Sequence, residues 1–325
     1  MSRPSEQPNI GKVNIPVVDA QTLKPGQPAF DHFLDALQHW GFFHLINHDI
    51  DASLISALQE QMRLFFMGST ATKKQISRSA SNPWGFYDQE RTKNRVDAKE
   101  IFDVGPNEGT RRAQWPEQLA QFEPVVQTWR RACHQLSRDL LCTLSQALNT
   151  PSDSLTCAFE PEHSSFLRLN YYPVIEDPAA QDTPLLPETG RLGIYHHTDA
   201  GALTVLLQDE VAGLQVAHDG GWHLIAPHED ALVINIGDIV QVWSNDRYPA
   251  VLHRVVGSQD RARYSAAYFY NPAYTTHYAP LPGMCSDETP PRYREIDWGA
   301  FRAGRSSGDF ADYGAEIQIG DYRIA

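Results

Sequence analysis

Two His-x-Asp triplets stand out in a chain of 325 residues that contains 13 histidines. The first, H-T-D at 197–199, lies inside a run of β-forming residues. Side chains at i and i+2 of a strand point to the same face, so His197 and Asp199 can project together into an interior, whereas His196 must point the other way. The second triplet, H-E-D at 228–230, follows a proline and is predicted to lie in a surface loop.

A third candidate ligand is His253, in the run V-L-H-R-V-V at 251–256. The 53 residues that separate it from Asp199 can supply several strands, which would bring the two ends together. Two imidazoles and one carboxylate form the facial set that suits non-haem Fe(II) and leaves coordination positions open for reactants. The sequence therefore predicts an iron site made by His197, Asp199 and His253.

A possible anion site follows in R-Y-S at 263–265, where Arg263 and Ser265 share one strand face. A guanidinium offers a bidentate fork to a carboxylate, and a hydroxyl beside it adds a donor. The turn at 257–260 is expected to fold 251–256 against 263–270 as a hairpin, which would place His253 across from Ser265. The pattern predicts capture of a dicarboxylate beside the iron.

The predicted secondary structure that must position these side chains changes near residue 160, from mainly helices to short strands. Before it, apolar periodicity predicts helices at 30–40, 55–66 and 117–148, the last with a start or kink near Pro124, and short strands at 13–18 and 42–46. After it, many short apolar runs between turn residues predict an antiparallel sandwich or barrel. The predicted strands are 166–172, 193–199, 203–208, 214–216, 222–225, 231–236, 239–243, 251–256 and 263–270. A proline-rich loop is expected at 176–190, and an irregular or helical extension at 286–315.

Composition excludes some partners. The chain has 40 acidic and 27 basic side chains and a net charge of -13, which argues against nucleic acid and against an anionic membrane surface. The four cysteines form no C-x-x-C pair and are expected to be reduced thiols. Because we find neither a secretory leader nor an apolar run of about 20 residues, we expect a cytoplasmic protein.

The ordered set H-T-D, H-R-V and R-Y-S resembles the 2-oxoglutarate- and Fe(II)-dependent dioxygenases of the isopenicillin N synthase-like superfamily. Further segments similar to that family run along most of the chain. They are W-G-F-F-H-L-I-N-H at 40–48, K-E-I-F-D-V-G at 99–105, N-Y-Y-P at 170–173, G-D at 237–238, W-S-N-D-R-Y at 243–248, and the stretches 201–208 and 213–216.

The resemblance implies a mainly β fold with flanking helices. Its core would be a distorted double-stranded β-helix, or jelly roll, with a helical N-terminal region packed on it. It further implies four parts: a mixed α/β N-terminal dioxygenase region at 1–120, a long helical connector at 121–160, the catalytic core at 161–280 and a C-terminal extension at 281–325.

The resemblance also implies roles for individual residues. His197, Asp199 and His253 would be the catalytic metal ligands. Arg263 and Ser265 would bind the distal carboxylate of 2-oxoglutarate. Asn170 and Tyr172, which share a strand face, would approach the same cosubstrate. The implied cofactors are Fe(II), 2-oxoglutarate and O2, with ascorbate as a reductant.

Four further residues are candidates for the substrate pocket. Tyr195 is an even number of residues from His197, and Phe269 is an even number from Arg263, so each pair would lie on the same face of its strand. Tyr195 and Phe269 are therefore expected to face the cavity. Phe102, in the 99–105 segment, is a similar candidate. Arg168 either anchors an acidic group of the substrate or pairs with an Asp or Glu, and the second interpretation is favoured.

The expected activity is oxidation of a small-molecule metabolite, most commonly its hydroxylation, with desaturation or ring closure as other outcomes, and with release of succinate and CO2. Three alternatives stay open at this point. The first is an oxidase of the same fold that does not use 2-oxoglutarate. The second is an ethylene-forming type that degrades 2-oxoglutarate itself. The third is a catalytically inactive binding protein, against which the intact ligand set argues.

Overall fold

A computed structural model describes residues 14–79, 81–92, 95–175, 192–307 and 316–324. The loop predicted at 176–190 lies outside these residues, and the extension predicted at 286–315 is described as far as residue 307. Within the described ranges, no helix combines the length and the apolar character that crossing a membrane would need.

Six α-helices flank a β-rich centre in the described ranges. The helix α4, Phe122–Ala147, shows why such helices form, because its apolar residues recur every three or four positions and make one continuous buried stripe. At the start of α2, Ala52–Phe66, the carboxylate of Asp51 caps the first turn by accepting a hydrogen bond from the amide of Ser53 at 2.7 Å. The helices are α1 Pro28–His39, α2 Ala52–Phe66, α3 Thr70–Lys74, α4 Phe122–Ala147, α5 Asp238–Trp243 and α6 Trp298–Ser307.

The strands are short and come mainly from the second half of the chain. Three of them have the predicted bounds, because each is a clear run of apolar and aromatic residues between turn formers: β7 at Phe166–Tyr172, β9 at Leu203–Gln208 and β14 at Arg263–Tyr270. The strands are β1 Val17–Asp19, β2 Phe42–Ile46, β3 Gly85–Tyr87, β4 Arg91–Thr92, β5 Arg95–Val96, β6 Glu100–Val104, β7 Phe166–Tyr172, β8 Leu192–His197, β9 Leu203–Gln208, β10 Leu214–His218, β11 Gly221–Leu224, β12 Leu232–Ile236, β13 His253–Val256, β14 Arg263–Tyr270, β15 His277–Tyr278 and β16 Ile296–Asp297.

Two sheets form a β-sandwich. The larger has eight strands in the order β1-β2-β12-β9-β14-β7-β6-β3, and the smaller has four in the order β11-β10-β13-β8. The outer face of the large sheet is covered by α2 and α4, whose apolar stripes share one core with it. A cavity opens between the sheets, lined by side chains of both.

The N-terminal region is more than a helical layer. Four of its strands, β1, β2, β3 and β6, are hydrogen-bonded into the large sheet, with β2 beside β12 and β6 beside β7. The large sheet therefore crosses the boundaries of the predicted parts 1–120 and 161–280.

Two expectations about local structure are wrong. Residues 239–243 belong to α5 rather than to a strand, since a short apolar run fits a buried helix turn as well as a buried strand. The predicted hairpin does not form either, because β13 pairs with β8 and β10 whereas β14 pairs with β7 and β9. The turn at 257–260 carries the chain from one sheet to the other, and His253 faces Ser265 across the cavity instead of beside it.

Candidate active site

His197, Asp199 and His253 converge at the cavity. The Nε2 atoms of His197 and His253 lie 3.8 and 3.6 Å from Oδ1 of Asp199, and the two imidazole centroids are 4.3 Å apart. One ligand atom from each residue falls within 4.8 Å of the others. This set can hold a single Fe(II) on one face and leave the opposite face open.

Strand pairing explains why the two histidines meet. His197 is the last residue of β8 and His253 is the first of β13, and the two are direct partners in the antiparallel ladder. Asp199 lies two residues beyond the end of β8, so it does not share the strand face on which the prediction relied. Its carbonyl instead accepts the amide of Asp238 at 2.8 Å, which fixes the loop beside the histidines.

Main-chain carbonyls orient both imidazoles. Nδ1 of His197 donates to the carbonyl of Tyr195 at 2.8 Å, and Nδ1 of His253 donates to that of Val251 at 3.2 Å. A carbonyl can only accept, so the hydrogen of each neutral ring is on Nδ1 and the Nε2 lone pair is directed at the site. This is the tautomer that a metal ligand needs.

The carboxylate of Asp199 is held by two side chains that sequence reasoning missed. Its Oδ2 accepts the hydroxyl of Thr204 at 2.5 Å and the amide of Asn235 at 2.7 Å, which leaves Oδ1 for a metal. Asn235 is the one polar residue of the buried strand β12, and that anomaly was the available signal. Outer contacts of this kind orient metal ligands and tune their affinity.

The surroundings of His197 and Asp199 favour the charge states that bind a metal. Burial, and after it the neighbouring imidazole of His253, lowers the pKa of His197 to about 3, so that its ring is neutral near pH 7. Burial disfavours the charged form of Asp199, but the facing imidazoles and the hydrogen bonds from Asn235 and Thr204 outweigh it and hold its pKa below the usual value. Neutral imidazole and ionised carboxylate are the forms that bind metal.

The four residues predicted to bind the cosubstrate form two neighbouring cross-strand pairs. Arg263 is opposite Tyr172, and Ser265 is opposite Asn170, on the paired strands β14 and β7. All four are buried and line the cavity. The Arg263 guanidinium lies 5.0 Å from the centroid of the Tyr172 ring and donates to the hydroxyl of Ser265 at 3.4 Å.

Unused hydrogen-bonding groups in this set point to a ligand. Arg263 Nη2 donates to Gln208 at 2.8 Å, yet its buried Nε has no partner among the described residues, and neither does Oδ1 of Asn170. Buried polar atoms are normally paired, so these atoms fit a polar molecule that completes them. Gln208 was not found from the sequence.

Two glycines make room for the cosubstrate residues. A Cβ on Gly193 would lie 2.7 Å from the ring of Tyr172, and one on Gly213 would lie 3.0 Å from Cδ of Arg263. The first contact is too short for any Cβ and the second is tighter than most, so glycine at 193 keeps the place of the Tyr172 ring free and glycine at 213 relieves crowding at Arg263.

The substrate-pocket candidates divide into two groups. Phe269 lines the cavity and stacks on Phe166 with ring centroids 4.7 Å apart. Arg168 also lines it, but its guanidinium is bound at 2.7–2.8 Å by Asp103 and Glu90, in accordance with the favoured interpretation.

Tyr195 and Phe102 do not line the cavity. Ile194 pairs with Val255 while His197 pairs with His253, so β8 carries an extra residue in this stretch and the parity that linked Tyr195 to His197 is broken. Tyr195 packs with Leu192 and Leu224 instead. Phe102 faces the other side of the large sheet, against Phe65 and Phe122. Both expectations are therefore wrong.

A buried ion network lies beside the cavity. Arg78, Lys99 and Arg168 interleave with Glu90, Asp97 and Asp103, at nitrogen–oxygen distances from 2.6 to 3.2 Å. Burial favours the neutral form of Glu90, but its three cationic neighbours outweigh this and hold its pKa well below the usual value. Burial raises the pKa of Asp97 to about 6 although Lys99 opposes the shift. Sequence reasoning recognised only Arg168 in this network.

A β-sandwich with two histidines and one carboxylate facing a cavity is the arrangement of a non-haem iron enzyme. Residues 163–272 match the model of the 2OG-Fe(II) oxygenase superfamily, and residues 15–121 match that of the N-terminal region described as non-haem dioxygenase in morphine synthesis. The chain is 31% identical to oxoglutarate-dependent flavonoid 7-O-demethylase 1 of Ocimum basilicum over 87% of this chain and 75% of that protein. It is 32% identical to gibberellin 2-beta-dioxygenase 6 of Oryza sativa subsp. japonica over 89% and 79%.

The chain belongs to the 2OG-Fe(II) oxygenase superfamily. It is an oxidoreductase whose cofactors are Fe(II) and 2-oxoglutarate. Among solved structures, JOX2 in complex with 2OG, Fe and JA superposes with a TM-score of 0.77 at 29% identity, over 92% of this chain and 87% of that one. The dioxygenase for auxin oxidation in rice gives 0.72 at 22% identity, over 96% and 100%, and shares the fold.

Proposed function

We propose that this protein hydroxylates a small-molecule metabolite and converts 2-oxoglutarate to succinate and CO2. One oxygen atom of O2 enters the product and the other enters succinate, while the decarboxylated cosubstrate supplies two electrons. The observation that carries the proposal is the open face of the His197, Asp199 and His253 set, which lies in one cavity with the Arg263 group.

His197, Asp199 and His253 would hold the iron, which when bound supplies O2 activation. The Nδ1 hydrogen bonds to the carbonyls of Tyr195 and Val251 keep both imidazoles in the required tautomer. Thr204 and Asn235 hold one oxygen of Asp199, so that the carboxylate offers the other to the metal.

Arg263 and Ser265 would bind the distal carboxylate of 2-oxoglutarate, through a charge-assisted fork and a hydroxyl donor. Tyr172 packs against the guanidinium and restricts its position. Asn170 lies opposite Ser265 on the paired strand and lines the same cavity, and its side-chain NH2 group would donate a second polar contact to the same molecule. The other end of β7 and β14, with Phe166 and Phe269, and Trp298 of α6 are left for the substrate.

The test is an anaerobic titration of the metal-free protein with Fe(II) and then with 2-oxoglutarate, followed by visible absorption. The proposal expects a saturable charge-transfer band, absent in His197→Ala. We expect the midpoint of the 2-oxoglutarate titration to rise at least about tenfold in Arg263→Gln, because a charge-assisted contact is lost. Gln208→Ala, which removes one acceptor of that guanidinium but keeps its charge, should shift the midpoint less.

Turnover is then followed by succinate release and mass spectrometry of a metabolite mixture. A product heavier than its substrate by one oxygen atom supports hydroxylation. A product lighter by two hydrogen atoms would overturn hydroxylation and indicate desaturation or ring closure. Iron binding without the band, or oxygen consumption with substrate but no succinate, would overturn the proposal.

A further inference from the structure

The wall of the cavity formed by β7, β14 and α6 combines aromatic rings with positive charge. Phe166 of β7 and Phe269 of β14 stack at an interplanar angle of 26°. Trp298 and Arg302, one turn apart on α6, line the same cavity. The Arg302 guanidinium lies 5.5 Å from the centroid of the Phe166 ring.

Most cations of the cavity wall already have a partner. Lys99 and Arg168 belong to the buried ion network. Arg305 is bound by Glu316 at 3.1 Å and donates to the carbonyl of Thr198 at 2.8 Å. Arg263 is directed at Gln208 and Ser265, on the cosubstrate side.

Arg302 differs from these cations. Among the residues that the structure describes, its guanidinium has the Phe166 ring as its contact, and no carboxylate lies within ion-pair distance of it. The side chain is half-buried, so it is partly removed from the water that would otherwise solvate its charge. A half-buried guanidinium beside an aromatic stack matches an anion that is attached to an apolar body.

We propose that Arg302 is a specificity-determining residue that binds the carboxylate of the substrate, whose apolar body packs on Phe166 and Phe269. The substrate class is therefore a small apolar carboxylic acid. Arg168, the arginine that the sequence suggested for this role, is excluded because Asp103 and Glu90 already occupy its fork. This inference rests on the proposed function, since it names the class of molecule oxidised at that site.

The test measures binding by anaerobic calorimetry to the protein loaded with Fe(II) and saturating 2-oxoglutarate. The probes are two acids and their neutral amides: 4-phenylbutyrate with 4-phenylbutanamide, and octanoate with octanamide. Saturation with 2-oxoglutarate fills the Arg263 site, so an added acid reports only on the part of the cavity beside Arg302. Arg294→Gln is the matched control, because Arg294 also lies over a ring, that of Tyr322 at 4.9 Å, and is not part of the cavity wall.

We expect at least one acid to bind tenfold or more tightly than its amide. Arg302→Gln should remove that preference by weakening the acid at least tenfold and the amide by less than twofold, while Arg294→Gln changes neither. Arg302→Gln should also leave the 2-oxoglutarate charge-transfer titration unchanged.

Three results would overturn the inference: no acid preferred over its amide in the unmodified protein, equal weakening of acid and amide by Arg302→Gln, or a shift of the 2-oxoglutarate midpoint in that variant. Failure of the proposed function is distinguishable, because it appears earlier, as absence of the charge-transfer band in the unmodified protein.

Discussion

At the scale of single residues, the iron ligands depend on neighbours that hold them in one orientation. The sequence could supply the ligands themselves, because their residue types and the H-T-D spacing are local properties. It gave no signal for Thr204 and marked Asn235 only as a polar residue in an apolar run, and both reach Asp199 from other strands. Only the folded sheet brings β9 and β12 beside the loop that carries Asp199.

Asn235→Ala should weaken Fe(II) binding about tenfold, because loss of an outer contact to a metal ligand typically costs ten- to a hundredfold in affinity. Anaerobic Fe(II) titration of both proteins measures the change. Asn245→Ala is the control, since Asn245 is also buried but bonds the carbonyl of Pro290. Equal Fe(II) affinity of Asn235→Ala and the unmodified protein would show that Thr204 alone orients the carboxylate.

His44 predicts a loss of stability in acid. Burial, and after it the nearby His228, lowers its pKa to about 4, whereas the unfolded chain binds a proton near 6.5. Between these values the unfolded state holds more protons, so the free energy of unfolding falls as the pH drops from 6.5 toward 4. The contribution of His44 is on the order of 2 kcal/mol between pH 7 and pH 5.

Urea denaturation at pH 7 and pH 5 measures this difference. In His44→Gln the difference between the two pH values should shrink by about that amount, because the substituted side chain does not titrate. His277→Gln, at an exposed position, should leave it unchanged. An undiminished difference in His44→Gln would assign the acid sensitivity to other groups.

At the scale of the elements, the prediction was right for strand bounds, which depend on the local pattern of residues. It was wrong for side-chain orientation where the register with a partner strand determines it. The bounds of β7, β9 and β14 follow from their own residues. The orientation of Tyr195 cannot be read from the residues of β8 alone. An extra residue between positions 194 and 197 reverses the faces of that strand, and only the register with β13 shows this extra residue. The role of α6 was also inaccessible, since it lies in a polar tail without a clear motif.

Gly193 provides a test of how strands β7 and β8 fit together. Gly193→Ala should destabilise the protein by about 1–3 kcal/mol, the usual cost of overpacking, and raise the 2-oxoglutarate concentration at half-saturation by displacing Tyr172. Denaturation and the charge-transfer titration measure the two effects. Gly320→Ala is the control, because no atom lies within 4 Å of the added Cβ. Unchanged cosubstrate binding in Gly193→Ala would separate the Tyr172 ring from the cosubstrate site.

At the scale of the whole molecule, the N-terminal region and the catalytic sheet are one unit. The sequence predicted short strands at 13–18 and 42–46 in this region, and the resemblance implied a mixed α/β region whose helices pack on a β core. The strands β1, β2, β3 and β6 are short, and their place in the large sheet depends on long-range pairing that no local pattern shows. The buried ion network adds a second link, because it joins Arg78, Glu90 and Asp103 of the N-terminal region to Arg168 of β7.

Removing one charge from that network should therefore destabilise the molecule as a whole. Glu90→Gln leaves Arg78, Lys99 and Arg168 facing one carboxylate fewer, and breaking a buried pair costs about 3–5 kcal/mol. Urea denaturation measures this loss. Glu60→Gln, which removes an exposed pair with Arg63, should cost less than about 1 kcal/mol. Similar values for the two variants would mean that the network contributes no more than a surface pair.

The hydrogen bonds that set the tautomers of His197 and His253 end on main-chain carbonyls, those of Tyr195 and Val251. Every amino acid supplies that carbonyl, so substitutions at 195 and 251 that keep the backbone path preserve the nitrogen offered to the metal. The tautomers of both metal-binding histidines therefore do not depend on which side chains stand at positions 195 and 251. In such a scaffold, residues of the pocket wall can be substituted during evolution and alter substrate specificity, while the nitrogen atoms offered to the metal stay the same.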